Sequence, residues 1–247
     1  MHTIYWDWLG MQPIESVLAF QDALFQKNYA GERKNMLLFA EHPHCFTYSH
    51  NKPIETQLRV PYEIFANLNV PIIKVRHGGN ATYHGPGQLV AYWILDITVL
   101  PFDFIEFSTS LIDGIIGFLS GLGLSAAPTP HSELSQYHYA KGVWITGKRK
   151  ITQRAISALR APDGHLITRF GFAFNVSTNL RYFSYIFPCG LDIPMTSLEE
   201  ELGIRITCKE VLLLIVRAFS KLYAPYGICF EKMDTNNKTA PAYRNGF

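Results

Sequence analysis

The sequence predicts an α+β fold, a single domain with helices packed on a mixed sheet. Three observations lead there. The 247 residues are enough to bury a substantial core, with no repeat or linker breaking them up. Several segments carry apolar residues at helical spacing, and short β-rich apolar runs lie between them. Strands and helices do not alternate in the regular βαβ order that an all-parallel sheet requires.

In chain order, residues 13–29 read as the first helix, because Pro13 suits a first-turn position and Ile14, Val17, Leu18, Leu24 and Phe25 share one side. Residues 36–40 form a short apolar strand, followed by an extended or turning stretch (41–49) that bends at Pro43. A strand over 70–76 leads into the glycine-rich run 78–88, and residues 89–97 have the continuous apolar pattern of a strand buried on both faces. Residues 104–122 form an amphipathic helix stopped by Gly121, Gly123 and Pro128. Past a polar loop (129–141), strands are expected over 142–146, 155–161 and 166–176. Ser197 with Glu199, Glu200 and Glu201 opens a short helix, and 209–223 is a strongly periodic last helix. Residues 234–247 are polar and read as a loose tail, leaving 1–233 as the domain.

Composition removes some functions. Lys and Arg total 22 against 20 Asp and Glu, a formal net charge of +2. That is far from the basic face that nucleic acid requires, although it suits an acidic protein partner. Cys45, Cys189, Cys208 and Cys229 are widely spaced with no C-x-x-C pair, which points away from a zinc site or a disulfide framework and towards a reducing cytoplasm. The N-terminus lacks a basic and apolar leader, and no apolar run is read as reaching membrane-spanning length. The expectation is therefore a cytoplasmic protein without nucleic-acid or membrane partners.

Four features could carry chemistry. The run from Gly78 to Gln88 has four glycines within ten residues, leaving few side chains, but lacks both the Gly-Lys-Ser/Thr ending of a P-loop and a G-x-G-x-x-G turn. It reads as a surface hairpin or as a wall of a slender-substrate pocket. Cys189, between Pro188 and Gly190, sits where a tight turn would expose a thiol to amide N–H groups and lower its pKa. By itself a lone cysteine is more often a small buried hydrophobe, a reading that suits Cys208 and Cys229 better than Cys45. The run Gly147-Lys148-Arg149-Lys150-Ile151 reads by default as a solvated turn; a functional lysine there would stabilise a thiolate and later take a proton from an amine. His42, His44, His84, His131 and His138 show no metal-ligand spacing, so no metal is assigned.

Taken in order, these features resemble the octanoyl-[acyl-carrier-protein]:protein N-octanoyltransferase family, also called lipoyl(octanoyl) transferase. The likeness runs from about Leu9 to Leu202. It is carried by Leu9-Gly10, Gln21, Glu41-His42-Pro43, Gly78-Gly79, Thr82-Tyr83-His84-Gly85-Pro86-Gly87-Gln88-Leu89, Gly142-Val143-Trp144, Lys150-Ile151, Gly171-Phe172-Ala173-Phe174-Asn175-Val176, Pro188-Cys189-Gly190 and Thr196-Ser197-Leu198. The Thr-Tyr-His-Gly-Pro-Gly-Gln run and the Pro-Cys-Gly turn are specific signals.

The resemblance implies a biotin/lipoyl protein ligase-like fold with a largely antiparallel sheet, and residues 1–233 as the catalytic domain. It implies that Cys189 takes an octanoyl group from the phosphopantetheine thioester of acyl carrier protein and passes it to a lysine of a lipoyl domain, with Lys150 lowering the thiol pKa and acting as base. The acceptors would be lipoyl domains of 2-oxoacid dehydrogenases and the glycine cleavage H protein. No cofactor is implied. The substrate site would comprise His77, Gly78, Gly79, Asn80, Ala81, Thr82, Tyr83 and His84, with Ala155, Ile156, Ser157, Gly171, Phe172 and Ala173, while amides near Cys189 would hold the oxyanion.

The chain departs from the family at three places. His77 stands where the family has the arginine of Arg-Gly-Gly, with Arg76 one residue earlier; Phe170-Gly171 replaces His-Gly; and Ile156-Ser157 replaces Ile-Gly. The stretch after Lys150 is also about two residues longer, so an alignment anchored on Ser157 puts Thr152 in the lysine position. Lys150 is preferred because Lys-Ile is kept and a thiolate needs a cation. The alternatives are an ATP-dependent lipoate or biotin ligase, a non-catalytic acyl-carrier or lipoyl-domain binding protein and, further off, a thioesterase.

Overall fold

The structure, a computed structural model, describes residues 1–49, 53–75, 80–129, 142–146, 149–188 and 192–234. Its strands are β1 (His2–Met11), β2 (Met36–Glu41), β3 (Cys45–Ser49), β4 (Ile72–Val75), β5 (Thr82–His84), β6 (Gln88–Ile94), β7 (Ala126–Pro128), β8 (Gly142–Ile145), β9 (Arg149–Arg160), β10 (Leu166–Asn175) and β11 (Ile228–Lys232). The main sheet has the order β11-β1-β2-β6-β10-β9-β8-β7, and a smaller sheet has the order β4-β3-β5. In the main sheet β1 is parallel to β11 and β2, and every other pair is antiparallel. The result is a mixed, largely antiparallel α+β domain.

The two faces of the main sheet are covered differently. Helix α1 (Ile14–Tyr29) buries Val17, Phe20, Leu24 and Phe25 against Leu38, Val90, Tyr92 and Ile167 on one face. Two other helices cover the opposite face, one over Phe104–Gly121 and the last over Cys208–Tyr223. Each opens with a capping box, Asp103 with Glu106 and Thr207 with Glu210, which satisfies amide groups that would otherwise be orphaned. Between them Trp93 meets the Phe107 and Phe219 rings edge-on at 5.8 and 5.1 Å, contacts worth about 0.5–1.5 kcal/mol each beyond their buried area. The small sheet has its own aromatic core of Phe46, Phe65, Tyr83 and Phe183.

The helices expected over 13–29, 104–122 and 209–223 and the strands expected over 36–40, 89–97 and 166–176 form within a few residues of those bounds. Three differences matter. Strand β9 starts at Arg149 rather than at 155, because Lys150, Thr152 and Arg154 find partners inside the protein; Arg154 Nη1 donates to the Ser108 carbonyl at 2.5 Å. Strand β1, the edge strand β11 beside it and the short helix Glu63–Leu68 have no counterpart in the sequence expectations. Finally, Phe104–Gly121 is long and apolar enough to cross a membrane by length and composition, which corrects the expectation that no segment is. Its apolar stripe, Phe107, Leu111, Ile115, Phe118 and Leu119, is buried in the core. Residues 235–247, most of the expected tail, lie outside the described residues.

Candidate active site

A cleft opens on the α1 face of the sheet. Its apolar walls come from Ile14 and Leu18 of α1, Val90 and Tyr92 of β6, Ala155 of β9 and Phe170 to Ala173 of β10, while Asn80, Thr82, His84 and Gln153 supply polar atoms. Gly171 keeps the floor flat. A Cβ there would collide with the Ala91 carbonyl and come within 2.7 Å of Trp93 Cδ1, so the bare backbone is what lets β10 lie close to β6.

Of the expected substrate residues, the cleft brings together Asn80, Thr82, His84, Ala155, Gly171, Phe172 and Ala173. It does not include Ala81, Tyr83, Ile156 or Ser157, and for Tyr83 and Ile156 strand alternation explains why. In β5, Thr82 and His84 face the cleft while Tyr83 turns into the aromatic core of the small sheet, where Ala81 is also buried. Ile156 packs towards the helices on the far face, and Ser157 pairs with Arg169 beyond the end of the cleft. Cys189, His77, Gly78 and Gly79 lie outside the described residues.

Lys150 is not a solvated turn residue: it is 1 % exposed. The register shifts between β8 and β9 so that Val143 pairs with Thr152 and Trp144 with Lys150, leaving Ile151 as an extra residue in β9. That bulge reverses the facing of everything before it. Ile151 joins the helix-side core, and Lys150 turns to the cleft face, where its amine donates to Gln153 Oε1. Gln153 lines the cleft. The path of the lysine stem depends on Gly142, since a Cβ there would lie 2.6 Å from Lys150 Cε and collide with the Thr152 carbonyl. Thr152 points elsewhere, its hydroxyl donating to the Ala173 carbonyl at 2.6 Å.

The described residues on both sides of Cys189 are tied to this region. Downstream, Lys150 N–H donates to the Pro194 carbonyl and Thr196 N–H to the Lys150 carbonyl, each at 3.0 Å. Upstream, Phe187 N–H donates to the Gln57 carbonyl at 2.9 Å. Arg59 reaches both flanks: Nε donates to the Ile186 carbonyl at 2.7 Å, Nη2 to Asp192 Oδ1 at 2.6 Å, and the guanidinium lies over the Phe187 ring at 4.8 Å. A polar chain connects the opposite wall. His84 Nδ1–H donates to Gln88 Oε1 at 2.7 Å, Gln88 Nε2 to Asn175 Oδ1 at 3.0 Å, and Asn175 Nδ2 to the Thr196 carbonyl at 3.0 Å. The Thr-Tyr-His-Gly-Pro-Gly-Gln run and the Asn175 strand are thus joined through buried amides.

His42, part of the Glu41-His42-Pro43 segment and without metal-ligand spacing, has a structural place behind the cleft wall, against Tyr92. It is fully buried, with Nδ1–H donating to the Gln12 carbonyl and Nε2 accepting from Tyr92 Oη, both at 2.8 Å. Burial lowers its pKa from the ordinary 6.5 to about 4, an effect only partly opposed by the Gln12 bond. Cys45 is no competitor for a nucleophile: burial raises its thiol pKa to about 12. Gln153, Phe170 and Tyr92, none of them named as site residues from sequence, complete the cleft.

Comparison with known proteins agrees with this geometry. The sequence model of the lipoyl protein ligase A/B catalytic domain matches residues 13–220. An octanoyltransferase of Solibacter usitatus is 35 % identical over 215 residues, covering 87 % of this chain and 90 % of that protein. One from Bacteroides fragilis is also 35 % identical, over 217 residues, covering 85 % and 93 %. A lipoate-protein ligase A bound with ATP shares the fold at a TM-score of 0.73 and 18 % identity, covering 95 % of this chain and 90 % of the other. The bipartite lipoate protein ligase of Thermoplasma acidophilum, studied with its E2 lipoyl domain, gives 0.71 at 17 % identity, covering 95 % and 89 %. The apolar cleft, the lysine turned onto it by a bulge and these matches lead to one assignment: the chain belongs to the lipoyl protein ligase A/B catalytic family and, within it, to the octanoyltransferases.

Proposed function

We propose that this enzyme transfers an octanoyl group from acyl carrier protein to the lysine of a lipoyl domain, by way of a thioester on Cys189. The observation that carries the reading is the buried Lys150 amine, held by Gln153 on the wall of a slender apolar cleft. In the first step the Cys189 thiolate attacks the octanoyl carbonyl, the carbon–sulfur bond to phosphopantetheine breaks, and the departing thiolate takes up a proton. In the second step the lipoyl-domain amine attacks the acyl-Cys189 carbonyl, the amide forms, and the Cys189 thiol leaves. Lys150 as an ammonium favours the thiolate, and as a neutral amine it takes the proton from the incoming lysine.

The thioester supplies the driving force, so the reading needs neither nucleotide nor metal. The slight excess of positive charge suits an acidic carrier protein. The acceptors it fits are the lipoyl domains of 2-oxoacid dehydrogenases and the glycine cleavage H protein.

Incubation with octanoyl-acyl carrier protein should add one octanoyl mass to the intact protein, and Cys189→Ala should abolish the adduct. A wild type that stays unmodified sinks the reading. Since lipoate-protein ligases share the fold, labelling that occurs only with ATP and free octanoate would assign the chain to ligase chemistry instead.

A further inference from the structure

We infer that Phe170 is the acyl-length gauge of this enzyme, its ring closing the cleft at a depth that fits eight carbons. The inference rests on the acyl-transfer reading above. Phe170 has φ +64°, a left-handed conformation that bulky L-residues rarely adopt. Its N–H donates to Gln21 Oε1 of α1 at 2.7 Å, which holds the backbone there.

The unusual φ breaks the alternation of β10. On either side of it, Ile167 joins the α1-side core and Phe172 the helix-side core, so regular alternation would place Phe170 on the helix side with Phe172. Phe170 instead lines the cleft, 6 % exposed. The Arg169 guanidinium, paired with Asp22 of α1 at 3.9 Å, lies over both the Phe25 ring (5.3 Å) and the Phe170 ring (5.4 Å). Behind the Phe170 ring, therefore, stand Arg169 and α1.

The depth follows from the strand register. Gln153, which holds the Lys150 amine at the reacting end, pairs with Ala173, and Ile156 pairs with Phe170. The three residues between these levels span about 10 Å at about 3.3 Å each. An extended octanoyl chain has seven C–C bonds, and at about 1.25 Å of advance per bond it reaches about 9 Å. Two further carbons add about 2.5 Å, which places the methyl end in the ring.

The test measures transfer from hexanoyl-, octanoyl-, decanoyl- and dodecanoyl-acyl carrier protein, as kcat/KM, for wild type, Phe170→Gly and Phe170→Leu. Glycine adopts the backbone angle without strain. Leucine keeps an apolar side chain should the glycine variant fold poorly. Wild type should favour octanoyl, and the decanoyl-to-octanoyl ratio should rise about tenfold in Phe170→Gly, as expected for two newly buried methylenes, and by a smaller factor in Phe170→Leu. Unchanged ratios in both variants, with octanoyl transfer intact, would overturn the gauge and leave the acyl-transfer reading standing. Absence of transfer by wild type from any of the four donors would overturn both.

Discussion

Replacing His42 by asparagine should remove a defined part of the acid sensitivity of the fold. In the native protein His42 is neutral: its pKa falls from 6.5 to about 4 because the ring is buried. Above pH 6.5 the folded and unfolded chains both carry a neutral imidazole there, and the residue adds no pH dependence. As the pH falls from 6.5 to 4, the unfolded chain binds a proton that the fold refuses, so stability declines with falling pH. Below 4 the folded ring is protonated too and the loss levels off. At about 1.4 kcal/mol per pKa unit, the total is on the order of 3 kcal/mol. Asparagine can still donate to the Gln12 carbonyl but does not titrate; leaving Tyr92 Oη without its acceptor adds a cost of about 1–3 kcal/mol that is the same at every pH. Urea unfolding of both proteins from pH 7 to pH 4 isolates the effect, because all other groups cancel in the difference. The advantage of wild type over His42→Asn should shrink by on the order of 3 kcal/mol across that range. A difference independent of pH would refute the claim that His42 is held neutral by burial.

Other substitutions probe the route of Lys150 and the ties of the Cys189 segment. Gly142→Ala places a Cβ against the Thr152 carbonyl and Lys150 Cε; it should cost about 1–3 kcal/mol and lower transfer about 100-fold as the amine is displaced, and an unchanged melting temperature and rate would contradict the packing. Lys150→Ala should slow acylation and raise the pH at which Cys189 reacts with a thiol reagent, whereas Thr152→Val, losing one buried hydrogen bond worth about 1 kcal/mol, should keep the wild-type pH profile. The reverse pattern would move the base to Thr152's position. Arg59→Ala, which frees the Ile186 carbonyl and Asp192, should lower kcat about tenfold with little change in KM, as expected when a nucleophile is less well held; equal kcat would show that the flanks need no such tie.

The long helices were legible because their apolar stripes must face a core, and the glycine run because its composition is so unusual. The site was legible in part. Thr82, His84, Ala155 and Ala173 follow from motif and alternation, but the same alternation puts Tyr83 and Ile156 on the wrong side of their strands. Three features had no local signal. The bulge at Ile151 is set by pairing with β8, so a cation cluster that reads as a solvated turn becomes a strand with a buried lysine. The left-handed Phe170 is imposed by Gln21, 149 residues away in sequence, and Arg59 acts through partners 127 and 133 residues away. Strand β1 carries Tyr5, Trp6 and Trp8, a β-favouring run that could have been read, but both its neighbours pair with it in parallel, and β11 comes from the far end of the chain.

The central claim is that one cysteine holds the acyl group between two partners. Its most direct test begins with acyl-enzyme prepared from octanoyl-acyl carrier protein and freed of donor, then mixed with a lipoyl domain in the absence of ATP. The account predicts that the octanoyl mass leaves the enzyme and appears as octanoyl-lysine on the lipoyl domain, at a rate no slower than steady-state turnover. An acyl group that stays on the enzyme or is lost to water, while the lipoyl domain remains unmodified, would contradict it.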